Sequence, residues 1–154
     1  MDTFTMRPIG RVVGGRTVAE DDHWGELRCT IELDPGAVGE DATLGLDEFS
    51  HVEVIFVFDG VDPEQVCIGA RHPRGRSDWP LTGILAQRAK DRPNRIGITI
   101  CPLVSASGLT VEVAGLDAIN GTPVLDIKPC MTGFGPRGVV REPAWVAELM
   151  ADYW

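Results

Sequence analysis

The sequence predicts a mostly β protein, a small antiparallel β-barrel with a C-terminal helix, with residues 1–154 forming one domain. Three observations carry this. Apolar and polar residues alternate with a period of two through most hydrophobic segments, as half-buried strands require. The 18 glycines and 11 prolines, about a fifth of the chain, break those segments with turn chemistry. Strands and helices do not alternate and no GxGxxG follows a strand, which disfavours a parallel Rossmann-type sheet. A chain of 154 residues buries a core without disulfide or metal staples, and two domains would each be unusually small.

The elements follow in order. Residues 8–13, Pro-Ile-Gly-Arg-Val-Val, read as an opening strand. Residues 27–33 alternate strictly from Leu27 to Leu33, and Asp34-Pro35-Gly36 stops them. Residues 40–48 hold room for one short helical turn. Residues 52–58, Val-Glu-Val-Ile-Phe-Val-Phe, are β-branched and aromatic and read as a central strand. Residues 96–104 and 109–113 form a hairpin across Ser105-Ala106-Ser107-Gly108, and residues 124–128 form the last strand before Pro129. A helix begins near Pro143, whose missing N–H costs nothing in a first turn. Trp145, Val146, Leu149, Met150 and Tyr153 then fall on one face, which packs against the domain or a second subunit.

Charge narrows the function classes. With 14 Lys+Arg against 23 Asp+Glu the net charge is −9, which repels nucleic acid unless positive charge is concentrated somewhere. It is concentrated: Arg71, Arg74, Arg76, Arg88, Lys90, Arg92 and Arg95 lie in one stretch that holds only two acids, Asp78 and Asp91. Such a segment is suited to an anionic group or to a solvated loop. Arginine forks in particular match carboxylate or phosphate. Residues 71–80 are too rich in Gly and Pro for regular structure and read as a long loop. Asn120-Gly121 marks a turn whose backbone N–H and C=O groups could read a nucleobase edge, or a plain hairpin. Asp117, Asp126 and Lys128 are candidate proton-handling groups, or structural ion pairs at strand ends.

Cys29, Cys67, Cys101 and Cys130 form no CxxC pair, and His23, His51 and His72 show no HxxxH spacing, so neither zinc nor thioredoxin-type chemistry is expected. The chain opens without a basic, apolar leader and carries no membrane-length apolar run. The expectation is a cytoplasmic protein with free thiols and no membrane partner.

Longer patterns add to this. Phe49-Ser50-His51 precedes a strand, Arg92-Pro93-Asn94-Arg95-Ile96-Gly97 opens another, and residues 115–129 run Gly-Leu-Asp-Ala-Ile-Asn-Gly-Thr-Pro-Val-Leu-Asp-Ile-Lys-Pro. With the opening Pro8-Ile9-Gly10, these segments in this order resemble the TsaA/TrmO family, over residues 7–130. The resemblance implies a β-barrel methyltransferase that uses S-adenosyl-L-methionine without a Rossmann fold. It further implies N6-methylation of threonylcarbamoyladenosine 37 of tRNA, and a homodimer with the cofactor near the subunit interface. Matched residue by residue, it places cofactor contacts at Asp59, Gly60, Arg88, Ile98, Ala118, Ile119, Asn120 and Gly121, and Trp24 and Gly25 are added as candidates. The basic segment supplies Arg74, Arg76, Arg92 and Asn94 as candidate substrate contacts. Two other functions remain open: methylation of a small anionic metabolite, and non-catalytic binding of S-adenosylmethionine.

Overall fold

The structure, a computed structural model, describes residues 2–154. Eight strands form: β1 (Gly10–Val13), β2 (Arg28–Leu33), β3 (His51–Val57), β4 (Ala70–Arg71), β5 (Thr82–Gly83), β6 (Ile96–Ser107), β7 (Thr110–Ala114) and β8 (Pro123–Pro129). One α-helix follows, α1 (Trp145–Met150). Six strands close into a barrel in the order β1-β2-β7-β6-β3-β8, and β4 and β5 pair separately. All pairings are antiparallel.

The alternation in the sequence decides which side chains fill the barrel. Val12, Ile31, Val52, Val54, Phe56, Val111, Val113 and Val124 point inward and are wholly buried. Each contributes about 1.5–3 kcal/mol relative to exposure, enough to fix the strand register, since a slip of one residue would turn the set outward. Gly97 stands opposite Phe56. A Cβ there would lie 2.5 Å from the Phe56 ring, so the glycine makes room for the largest side chain of the core. Cys29 and Cys101 also sit in the interior, where burial pushes their thiols up to about 11 and about 12. All four cysteines are free.

Several boundaries differ from expectation for identifiable reasons. β1 starts at Gly10, because Pro8 has no N–H to donate. β3 ends at Val57, one residue before Phe58, whose N–H still donates to the Arg95 carbonyl at 2.9 Å, because the partner segment leaves extended backbone at Asn94 and Arg95, with φ of +63° and +53°. β6 continues through Ser105 to Ser107, so the hairpin turns at Gly108, whose φ of +55° suits a glycine. The turn expected within 40–48 is a single 3₁₀ turn, Leu46–Glu48. The loop at 71–80 is the tip of a short hairpin. Its stems β4 and β5 pair, and the buried Gln87 amide donates to the Arg71 and Thr82 carbonyls at 3.0 and 2.8 Å.

The register assigns every connection to one end or the other. Val13, Arg28, Val57, Ile96, Ala114 and Pro123 lie at one rim, here called upper. The connections 14–27, 58–95 and 115–122 therefore meet above it. Helix α1 is shorter than its apolar pattern suggests, but the whole stripe from Trp145 to Tyr153 is half-buried while Ala147, Glu148, Ala151 and Asp152 face solvent. Among the described residues, no helix is long and apolar enough to cross a membrane. No cluster of three or more His, Cys, Asp or Glu side chains among them could hold a metal ion.

Candidate cofactor and acceptor site

The upper rim gathers most of the residues that the sequence singles out. Loop 115–122 folds over the barrel mouth because Leu116 and Ala118 turn inward and join the core. Asp117, between them, is half-buried. Its Oδ1 accepts a hydrogen bond from Thr99 Oγ1 on β6, and its Oδ2 accepts one from the Tyr153 hydroxyl beyond α1. Two hydroxyl donors thus hold one carboxylate, and each oxygen keeps a lone pair free. Burial, then the adjoining Asp117 charge, pushes the Tyr153 phenol far up, so it remains a protonated donor.

Arg88 and Ile98, two expected cofactor contacts, touch directly: the guanidinium Nη2 donates to the Ile98 carbonyl one residue before Thr99. Both residues are exposed, which leaves a cation and an apolar surface side by side on the open rim. The Arg88 and Arg74 charges also act on Tyr153, favouring its ionised form against the larger effect of burial. Asp59 and Gly60 lie exposed where the chain leaves β3 for the same rim.

The turn at Asn120-Gly121 works differently from expectation. Its N–H groups are already spent, Asn120 on the Arg16 carbonyl and Gly121 on the Val12 carbonyl, both at 2.7 Å. Asn120 Oδ1 accepts from the Gly14 N–H at 2.9 Å, which ties the turn to the β1–β2 connection. Its Nδ2 donates to nothing among the described residues. What the turn can offer a base is therefore this amide and carbonyl oxygens. Ala118 likewise has only backbone to offer, since its methyl is in the core.

Trp24 is buried, with Arg16 stacked 4.6 Å from its ring centre and its indole N–H on the Glu20 carbonyl at 3.2 Å. Gly25 abuts the last residue: a Cβ there would come within 2.6 Å of the Trp154 carbonyl carbon. The carboxyl-terminal tail is fastened here, as the His23 and Trp24 N–H groups donate to the Asp152 and Tyr153 carbonyls at 2.8 and 2.9 Å.

The basic segment is less free than its composition suggests. Arg71 pairs with Asp91 at 2.5 Å. Arg74 forks onto both oxygens of Asp22, at 3.0 and 2.6 Å, and holds that carboxyl below its ordinary range. Arg76 binds Asp78 and stacks on Trp79. Arg92 and Arg95 donate to the Gln87 and Val61 carbonyls at 2.9 and 2.7 Å, which braces the loops but leaves their charge uncompensated. Of the expected substrate contacts, Arg74 and Arg76 are thus committed to carboxylates, while Arg92 keeps its charge. Asn94 is exposed on a backbone with φ of +63°.

Backbone strain marks the same end. The four residues other than glycine with positive φ among those described are His23, Arg74, Asn94 and Arg95, all in upper connections. Asp126 and Lys128, by contrast, form an ion pair at 2.5 Å on the outer wall along β8, away from the rim residues. Two clefts of about 410 and 380 Å³ open near the opposite rim, one beside Gly10 and Leu33, the other beneath Leu46 and Phe49. The sequence does not single out Thr99 for the site, and Tyr153, the chain's one tyrosine, falls within the apolar stripe of the last helix.

Known proteins match this chain closely enough to place it. A human tRNA (adenine(37)-N6)-methyltransferase is 36% identical over 104 residues, 68% of this chain and 23% of the relative. A probable S-adenosyl-L-methionine-binding protein of Pyrococcus abyssi is 35% identical over 121 residues, 75% of this chain and 59% of the relative. The chain thus spans about a quarter of the human relative's length and about three fifths of the archaeal one. The crystal structure of TrmO from Pseudomonas aeruginosa superposes with a TM-score of 0.68 at 28% identity, covering 91% of this chain and 62% of that one. The model of the tRNA-methyltransferase O N-terminal domain matches residues 20–134, and the chain belongs to that family.

Proposed function

We propose that this chain is a methyltransferase that uses S-adenosyl-L-methionine to methylate N6 of threonylcarbamoyladenosine 37 in tRNA. Relatives are named tRNA (adenine(37)-N6)-methyltransferase or probable S-adenosyl-L-methionine-binding protein, which supports an N6 reaction at adenine 37 and this cofactor. The observation that carries the proposal is the convergence on one rim of a guanidinium, an exposed apolar strand edge and a carboxylate held by two donors. These suit the cofactor: a cation for its carboxylate, apolar contact for its adenosine and a negative group near its sulfonium.

S-adenosylmethionine, when bound, supplies a methyl group on a positively charged sulfur. Arg88 would hold its carboxylate, and Asp117 would take the proton from the acceptor N6. Amide nitrogens are weak nucleophiles and aromatic amines little better, so orientation and exclusion of water supply much of the rate.

The homodimer belongs to the same proposal. β6 turns Ile96, Ile98, Ile100 and Val104 outward, beside Ile55 and Val57 of β3. A contiguous apolar face next to an open rim fits a second copy that covers both. Residues 1–154 act as one domain, and the protein works in the cytoplasm.

One observation favours a small anionic acceptor instead. Three of the seven basic residues are neutralised by internal carboxylates, on a chain of net charge −9. The test is incubation with S-adenosylmethionine labelled in the methyl group and a cell extract split into RNA and small molecules. Label in RNA is expected. Label only in small molecules favours the second acceptor, and binding without transfer to either fraction reduces the chain to a cofactor-binding module.

A further inference from the structure

We propose that Tyr153 is a positioning residue for the methyl transfer, acting through Asp117. The inference rests on the reaction proposed above and adds a group from outside the matched domain, which ends at residue 134. The tail that carries it is docked at several independent points. Trp79 lies buried against Trp145, ring centres 6.1 Å apart, and its indole N–H donates to Glu148 at 2.9 Å. The Asp152 and Tyr153 carbonyls accept from His23 and Trp24, and the Tyr153 ring stands edge-on to Trp154 at 4.8 Å. So fastened, the half-buried phenol has one polar partner, Asp117 Oδ2.

The geometry gives this bond a specific consequence. Asp117 sits on the loop between β7 and β8, and a lone carboxylate there would rotate about its side-chain torsions. Thr99 fixes one oxygen from the barrel wall and Tyr153 fixes the other from the tail. The carboxylate plane is then set by two elements that share no loop, and each oxygen keeps a lone pair free. Tyr153 itself touches neither reacting atom. Its removal leaves the cofactor's partners in place and loosens the group that receives the proton, so the loss should appear in turnover at saturation and not in cofactor affinity.

The experiment compares the full chain with Tyr153→Phe, Asp117→Asn and the double variant, using threonylcarbamoyl-modified tRNA and S-adenosylmethionine. Tyr153→Phe keeps the ring and its packing. It is expected to lower kcat about tenfold, the usual scale for one hydrogen bond to a charged group, with KM for S-adenosylmethionine within twofold of wild type. In the double variant the loss should be no greater than in Asp117→Asn alone, because the tyrosine acts through that carboxylate. A tail that is only a structural latch would lower the melting temperature and leave kcat unchanged. That result, or losses that multiply in the double variant, would overturn the assignment while leaving the methyl-transfer proposal standing. A wild-type chain that transfers no methyl to any acceptor would sink both.

Discussion

Arg88 is the residue on which cofactor binding turns most directly. It reaches the Ile98 carbonyl with one arm of its guanidinium and keeps the rest at the open rim. Arg88→Ala should weaken S-adenosylmethionine binding by roughly tenfold to a hundredfold, and an unchanged affinity by calorimetry would remove the residue from the site. Arg74 plays a different part. Its fork lowers the Asp22 carboxyl, chiefly by hydrogen bonding. A lowered folded-state value means that this stabilisation is present above the ordinary carboxylate range and is lost as pH falls through the lowered value. Urea denaturation should accordingly show Arg74→Ala less stable than wild type at pH 7, with the gap closing in acid below the carboxylate range. A gap that widened in acid would rule out the pair as its source. Residue types made Arg88 and Asp117 visible in the sequence. The partners of Asp117 were not, because Thr99 and Tyr153 reach it across 18 and 36 positions of chain.

The strands were legible because the barrel rests on a local rule. Alternation places Val12, Ile31, Val54 and Val113 inside without reference to anything distant. The tail was half legible. The stripe from Trp145 to Tyr153 announces a buried face, yet its counterpart is assembled from Trp79, Gly25 and Asp117, which no period connects. Two substitutions separate the tail from the barrel it covers. Trp79→Ala removes a buried indole that packs under Trp145 and binds Glu148, and should cost about 3 kcal/mol in chemical denaturation. Gly25→Ala drives a methyl group into the Trp154 backbone. Its expected effect is local: hydrogen exchange at His23 and Trp24, whose amides hold the tail, rises while the amides of β3 and β6 stay protected. Equal loss of protection everywhere would show that tail and barrel unfold as one.

Across the whole molecule the question is how an acidic chain holds RNA. Arg71, Arg74 and Arg76 are paired internally and Arg88 is assigned to the cofactor's carboxylate, which leaves Lys90, Arg92 and Arg95 as the cations of the basic segment open to RNA. Three charges per copy predict a slope of about −2 in log affinity against log salt for single-stranded contacts, shallower than seven would give. Two copies sharing the β6 face would add their rims and double it. The attraction reaches only about 8 Å at physiological salt, so binding should fade well before 300 mM. Filter binding to a modified anticodon stem-loop measures the slope, and affinity independent of salt would point to a small acceptor. The most direct measurement is mass spectrometry of nucleosides from threonylcarbamoyl-modified tRNA after incubation with the chain and S-adenosylmethionine at low salt. One methyl group on N6 of threonylcarbamoyladenosine is expected, with the product lost in Asp117→Asn. Unmethylated tRNA from a chain that nonetheless binds the cofactor would contradict the assignment of this rim as a tRNA methyltransferase site.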